Sequence, residues 1–179
     1  MASKTLLKLI DQAILPAVIL LCTRIVTIIL LSYFFKISIS ISTSGFIFEN
    51  PGDYILVNSY SLLAMVMLLS LGLLYVLIKA MFFHNTHITP FLTARLFSLK
   101  LSTFIQSSYE IYSQAFIWLM YIYLLTLLTW IFALFEHAHN YVFYISLLFS
   151  VVSTVFFIID IEDELGLKSK VSIYMEDKS

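Results

Sequence analysis

The chain has 179 residues, of which 61% are hydrophobic and 12% charged, with a formal net charge of −1; its mean hydropathy is +0.98. Soluble domains carry roughly 25% charged residues, so this composition excludes an ordinary soluble domain, and the near-zero charge gives no bulk attraction to nucleic acid. A single cysteine, Cys22, excludes an intrachain disulfide.

Residues 1–12, MASKTLLKLIDQ, are amphipathic: Leu6, Leu7, Leu9 and Ile10 suit the membrane interface, with Lys4 and Lys8 facing water. The stretch 13–35, AILPAVILLCTRIVTIILLSYFF, is the first span. About 23 residues rising 1.5 Å each cross the roughly 30 Å bilayer core. The run is too long for a signal-peptide core and lacks a small-residue cleavage site, so it reads as retained. Pro16 falls in the first turn of this span, where proline costs least. Arg24 stands near its middle. A guanidinium at that depth costs from about 3 kcal/mol on insertion scales to more than about 10 in simulations, so Arg24 is expected to face protein or water. Ser70, Tyr123, Thr126, Ser150 and Ser153 fall at similar depth and form the expected intramembrane polar site. Two other readings are a ring of positive charge in an oligomeric pore and a site for a lipid headgroup or ligand.

Ile37 to Ser42 alternates with the period of a strand. Thr43-Ser44-Gly45 is a turn signal, Phe46-Ile47-Phe48 can pair back, and Asn50-Pro51-Gly52-Asp53 is a second turn signal. The prediction is a small β-hairpin outside the membrane. The second span covers about 60–83. Thr89 followed by Pro90 marks a helix start. From there to Gln114, the polar residues Thr103, Gln106, Ser107, Glu110, Ser113 and Gln114 share one face, and Phe97, Leu101, Phe104, Ile105, Tyr109 and Tyr112 the other. This predicts an amphipathic cytoplasmic helix over 90–114, continuous with the third span at 115–135. After the loop EHAHN, the fourth span covers 141–159. Ser146, Ser150 and Thr154 recur every four residues, a small-residue stripe that permits close helix packing and suggests self-association. Asp160, Glu162, Asp163 and Glu164 follow at the expected helix end, where the dipole disfavours anions. With Arg95 and Lys100 of the middle segment they form a candidate docking surface for a cytosolic protein. In the tail, 160–179, Val171, Ile173 and Met175 alternate in a way that suits strand addition to a partner's sheet, and a disordered tail fits the composition equally well.

Lys4, Lys8, Lys79, Arg95, Lys100, Lys168, Lys170 and Lys178 fall on one side of this layout and Lys36 alone on the other. The positive-inside rule then makes both termini cytoplasmic. The expected fold is all-α: one polytopic membrane domain of four transmembrane helices, with a small extracytoplasmic β-hairpin between helices 1 and 2.

His84-x-x-His87 and His137-x-His139, the latter beside Glu136, have metal-like spacing. The two pairs fall on opposite sides of the membrane and cannot complete one three-ligand site, so no metal is expected. The sequence carries no GxSxG, HExxH, P-loop or glycine-rich dinucleotide motif, and no cofactor and no catalysis are expected. Four spans without an inverted repeat or a pair of broken helices also argue against a secondary transporter.

These features fit a non-catalytic inner-membrane subunit that homo-oligomerises, contacts lipids, senses an envelope event through its hairpin and recruits a cytosolic effector, without binding nucleic acid directly. The span layout as a whole, though no residue motif, resembles that of the four-span membrane subunit of the bacterial Kiwa antiphage system. The resemblance implies sensing of phage at the envelope and work with a cytosolic DNA-binding effector; it assigns no residue a role. In size and layout the chain is also similar to immunity proteins against pore-forming bacteriocins, which bind toxin helices within the membrane. An oligomeric ion channel lined by Arg24 is the third expectation.

Overall fold

The computed structural model describes the backbone of residues 2–43, 45–83, 90–99 and 108–176, and the side chains of 10, 12–43, 45–81, 91, 94–99 and 110–163. The element order is α1 (Ala2–Phe35), β1 (Ile39–Ser42), β2 (Gly45–Phe48), α2 (Pro51–Phe83), α3 (Pro90–Ser98), α4 (Ser108–Leu134) and α5 (Asn140–Glu176). Four of these helices are long and apolar enough to cross a membrane, over Gln12–Phe35, Pro51–Met81, Glu110–Leu134 and Asn140–Asp163, which makes the chain a multi-pass membrane protein.

The core lies between α2, α4 and the start of α5. Leu62, Val66, Leu69 and Leu73 of α2 meet Ala115, Trp118, Ile122 and Leu125 of α4, with Val142 of α5 beside them. The three- and four-residue spacing puts each set on one helix face. Gly72 makes the closest approach possible: a Cβ there would overlap the Trp118 indole ring. Helix α1 sits outside this core; among its described residues Ile19 and Leu20 pack against the cluster, partly buried.

The hairpin forms with the predicted turn. Its register pairs Ile39 with Phe48, Ser40 with Ile47, Ile41 with Phe46 and Ser42 with Gly45. Cross-strand partners share a face, so Ile39, Ile41, Phe46 and Phe48 form one apolar surface. Gly45 supplies the left-handed backbone, φ +118, that the turn requires. Helices α1 and α4 end in the same way. Lys36 (φ 53) and Glu136 (φ 58) adopt the left-handed conformation just past the helix. The amides of Ile37 and His137 reach back to the carbonyls of Ser32 and Phe132, each at 2.8–2.9 Å. These are Schellman caps, built on charged residues instead of glycine, and they turn the chain back over the end of the bundle.

Several expectations are corrected. Asn50-Pro51-Gly52-Asp53 is the start of α2, not a separate turn. Asn50 caps the helix, its carbonyl accepts from the Tyr54 amide at 3.2 Å, and its side chain donates to Asp53 at 3.1 Å. An Asn cap, proline at the first position and an acid in the first turn specify a helix start as well as a turn. Pro16 lies well inside α1, because the amphipathic N-terminal segment and the span form one helix. The predicted helix over 90–114 ends at Ser98, where the Ser98 hydroxyl and the Leu99 amide both bond the Arg95 carbonyl at 2.8 and 3.1 Å. Residues 100–107 lie outside the described residues. The expected strand-like tail is helical, since α5 runs on to Glu176. The acids at 160–164 are therefore about three turns from the helix end, beyond the reach of the unfavourable dipole.

Candidate functional site at the hairpin end

At the hairpin end of the bundle three parts of the chain meet at one buried carboxamide. Asn58 lies two turns into α2 and is 3% exposed. Its Oδ1 accepts a hydrogen bond from Arg24 Nη2 at 2.8 Å, and its Nδ2 donates to the His137 carbonyl at 2.7 Å. One side chain thus ties α1, α2 and the loop between α4 and α5 together. Ser59, fully buried, adds a second latch by accepting from the His139 amide at 2.8 Å. The Ser61 hydroxyl donates to the Asn58 carbonyl at 3.0 Å. The loop owes its approach to the Glu136 cap, which directs the His137 carbonyl toward α2.

An aromatic group surrounds this relay. Phe48 meets Tyr54 edge-on at 5.8 Å, Tyr54 meets the His137 ring at 6.0 Å, and Phe132 meets His137 at 6.3 Å. Beneath the hairpin is a cavity of about 200 Å³ lined by Leu21, Arg24, Ile25 and Ile28 of α1, Phe46 and Phe48 of β2, and Tyr54 of α2. The α1 residues recur at three- and four-residue spacing, one helix face with Arg24 in its middle. A second cavity, about 550 Å³, opens at the same end between Ile55, Trp130, Glu136, His139, Asn140 and Tyr144.

The hydroxyls expected around Arg24 serve other contacts. Tyr123 and Thr154 share a 2.6 Å hydrogen bond, and Thr126 donates to the Ile122 carbonyl at 2.8 Å and the Ser146 carbonyl at 3.4 Å, joining α4 to α5. Ser153 donates to Ser70 at 3.4 Å between α5 and α2. Thr154 also donates to the Ser150 carbonyl at 2.7 Å. Ser146 and Ser150 are buried, so within the chain the small-residue stripe Ser146, Ser150, Thr154 packs against α4. The reason is depth: counted along the apolar runs, Arg24 falls at mid-span, but α2 begins at Pro51, and the level reached by the long Arg24 side chain is that of Asn58, not Ser70.

Of the expected docking residues, Arg95, Glu162 and Asp163 are exposed and Asp160 is partly buried, its carbonyl accepting from the Tyr112 hydroxyl at 3.4 Å. Asp160 and Asp163 border a cavity of about 320 Å³ with Leu74, Leu77, Met81, Phe156 and others. The side chains of Lys100 and Glu164 lie outside the described residues, as do His84 and His87. Among the described residues no three metal-ligating side chains group together, and the two loop histidines diverge, His137 toward Tyr54 and His139 stacked on Tyr141 at 5.5 Å. Comparison with protein-family models, with curated proteins and with solved structures finds no match to this chain.

Sequence reasoning missed Asn58 and Tyr54. A signal existed: Asn58 is a lone carboxamide in the apolar context ILVNSYSLL, and a carboxamide can accept from a cation and donate to a carbonyl at once.

Proposed function

We propose that the protein is a non-catalytic inner-membrane subunit, with both termini in the cytoplasm, that self-associates, senses an event at the envelope and passes it to a cytosolic effector. Antiphage defence, in the manner of the Kiwa membrane subunit whose layout it resembles, is the proposed setting. The Asn58 bridge carries this reading. The hairpin and the 135–139 loop are the sensing surface; the hairpin borders half-buried Arg24, and the loop is joined to Arg24 through Asn58. A ligand that displaces either one changes the environment of Arg24, and α1 is the helix least anchored by apolar packing. Helix α5 starts at the same loop and crosses to the opposite end, where exposed Glu162 and Asp163 close its span and receive the change.

Purification of the intact chain in mild detergent, followed by native mass spectrometry, tests the proposal. The expected result is a homo-oligomer carrying a soluble partner, with partner retention reduced by Glu162→Lys together with Asp163→Lys. A monomer that retains no soluble protein under any condition contradicts it. A tag after Ser179 reached by a membrane-impermeant label in intact cells contradicts the orientation.

A further inference from the structure

We infer that the cavity beneath the hairpin is a binding site for the phosphate of an acidic phospholipid, held by Arg24 and Tyr54. This deepens the sensing role proposed above and rests on it for its consequence, though not for its geometry.

The argument begins with charge. A guanidinium offers five N–H donors. Among the described residues Arg24 has one hydrogen-bond acceptor, Asn58, and no carboxylate forms an ion pair with it. Every other cavity residue is apolar except Tyr54, whose contacts among the described residues are those of its ring. The cavity therefore presents a cation and a phenol hydroxyl with no anion of the chain's own. A half-buried cation in a low-dielectric setting is stable only with a partner, and a guanidinium fork matches phosphate oxygens in two parallel hydrogen bonds. The volume, about 200 Å³, exceeds what a lone carboxylate fills.

The site's position selects a lipid. Arg24 lies at the level of the second turn of α2, about 10 Å from that helix's start and so on the hairpin side of the bundle, although it stands eleven residues before the end of α1. Leu21 is 63% exposed and Ile25 40% exposed on the flank of α1, so the cavity wall continues as an apolar surface on which an acyl chain can lie. Phe46 and Phe48 close it from the hairpin side. A lipid seated here touches the hairpin and the relay together, so the same phosphate that neutralises Arg24 also holds the hairpin down.

The test is native mass spectrometry of the full-length chain in detergent, titrated with phosphatidylglycerol and phosphatidylcholine of matched acyl chains. Both lipids carry the phosphate, but the choline ammonium offsets it in phosphatidylcholine, so the first phosphatidylglycerol, with its net charge of −1 left for Arg24, should bind about tenfold more tightly. Arg24→Gln, whose carboxamide can still donate to Asn58, should bring the two lipids to parity. Tyr54→Phe should reduce the preference about threefold, while Lys36→Gln, altering the exposed cation beyond α1, should leave it intact. Equal binding of both lipids to the unaltered chain overturns the inference, as does a preference that survives Arg24→Gln. Oleate displacing phosphatidylglycerol at equal concentration would reassign the source to a fatty acid, and displacement by millimolar inorganic phosphate would reassign it to a soluble anion; either overturns the lipid. Partner retention in the same spectra separates the two proposals: lost lipid selectivity with the partner still bound refutes this inference alone.

Discussion

Helices α2 and α4 interlock through buried Leu, Val and Ile side chains and the Gly72–Trp118 approach, with α5 joined to them by Val142 and a set of hydroxyls. Helix α1 meets the same bundle through fewer buried apolar side chains, Pro16 and Ile28 with Ile19 and Leu20 partly buried, and through three polar contacts. The Ser113 hydroxyl donates to Gln12 at 3.2 Å, the Tyr121 hydroxyl to the Ala13 carbonyl at 3.2 Å, and Arg24 to Asn58 at 2.8 Å. In a membrane, lipid solvates apolar surface as well as protein does, so association depends on close packing and hydrogen bonds. The two regions draw on them in different proportion. Packing tolerates few alternative arrangements, whereas three hydrogen bonds can be exchanged for others as a helix shifts. The contrast makes the α2–α4–α5 unit the frame, and it is the ground on which α1 with its hairpin is proposed as the responding part.

The largest effect that would break this contrast is at the bridge. Asn58→Leu removes the acceptor from Arg24 and the donor from the His137 carbonyl; breaking a buried charged contact costs about 3 kcal/mol, read as a lower thermal midpoint in detergent together with increased labelling of the hairpin. Next is the frame itself. Gly72→Ala places a methyl group in the Trp118 ring, and overpacking of this kind costs about 2 kcal/mol; the fall in stability should come without loss of the α1 contacts, as measured by cross-linking between positions 12 and 113. A smaller change tests the other α1 contacts. Pro16 lacks the amide that would bond the Gln12 carbonyl, and Tyr121 serves the neighbouring Ala13 carbonyl, so Tyr121→Phe should cost about 0.6 kcal/mol. The smallest should be favourable: Lys36→Gly relieves a left-handed backbone and should raise stability by about half a kcal/mol, seen as a higher midpoint.

The four spans and the hairpin were legible because they follow from composition and period. Long apolar runs have no other comfortable place, and ISISIS followed by a glycine turn has the period of a strand. Less of the site was legible. Arg24 stood out as a cost, but its partner depends on where α2 begins, and Asn-Pro-Gly-Asp is compatible with both a turn and a helix start. The tail shows the same limit: Val171, Ile173 and Met175 alternate over too few residues to separate strand from helix, and extending α5, already nucleated, costs less than starting a new element. The hydroxyls of α4 and α5 stand at a suitable depth for Arg24 in the sequence, but side-chain spacing alone does not say which neighbour they serve.

The relay at Asn58 is tested most directly by a double-mutant cycle on Arg24→Leu and Asn58→Leu, with unfolding free energies measured in one detergent. Arg24→Leu removes an expensive charge but leaves the buried Asn58 Oδ1 without its donor, and the two effects should offset to within about 1 kcal/mol of the parent. Asn58→Leu should be the damaging single change, and adding Arg24→Leu to it should recover much of the loss, giving a coupling of about 1.5 kcal/mol or more. Free energies that add within about 0.5 kcal/mol would show that the two side chains act independently, and the account of α1 as a helix held by that contact would be wrong.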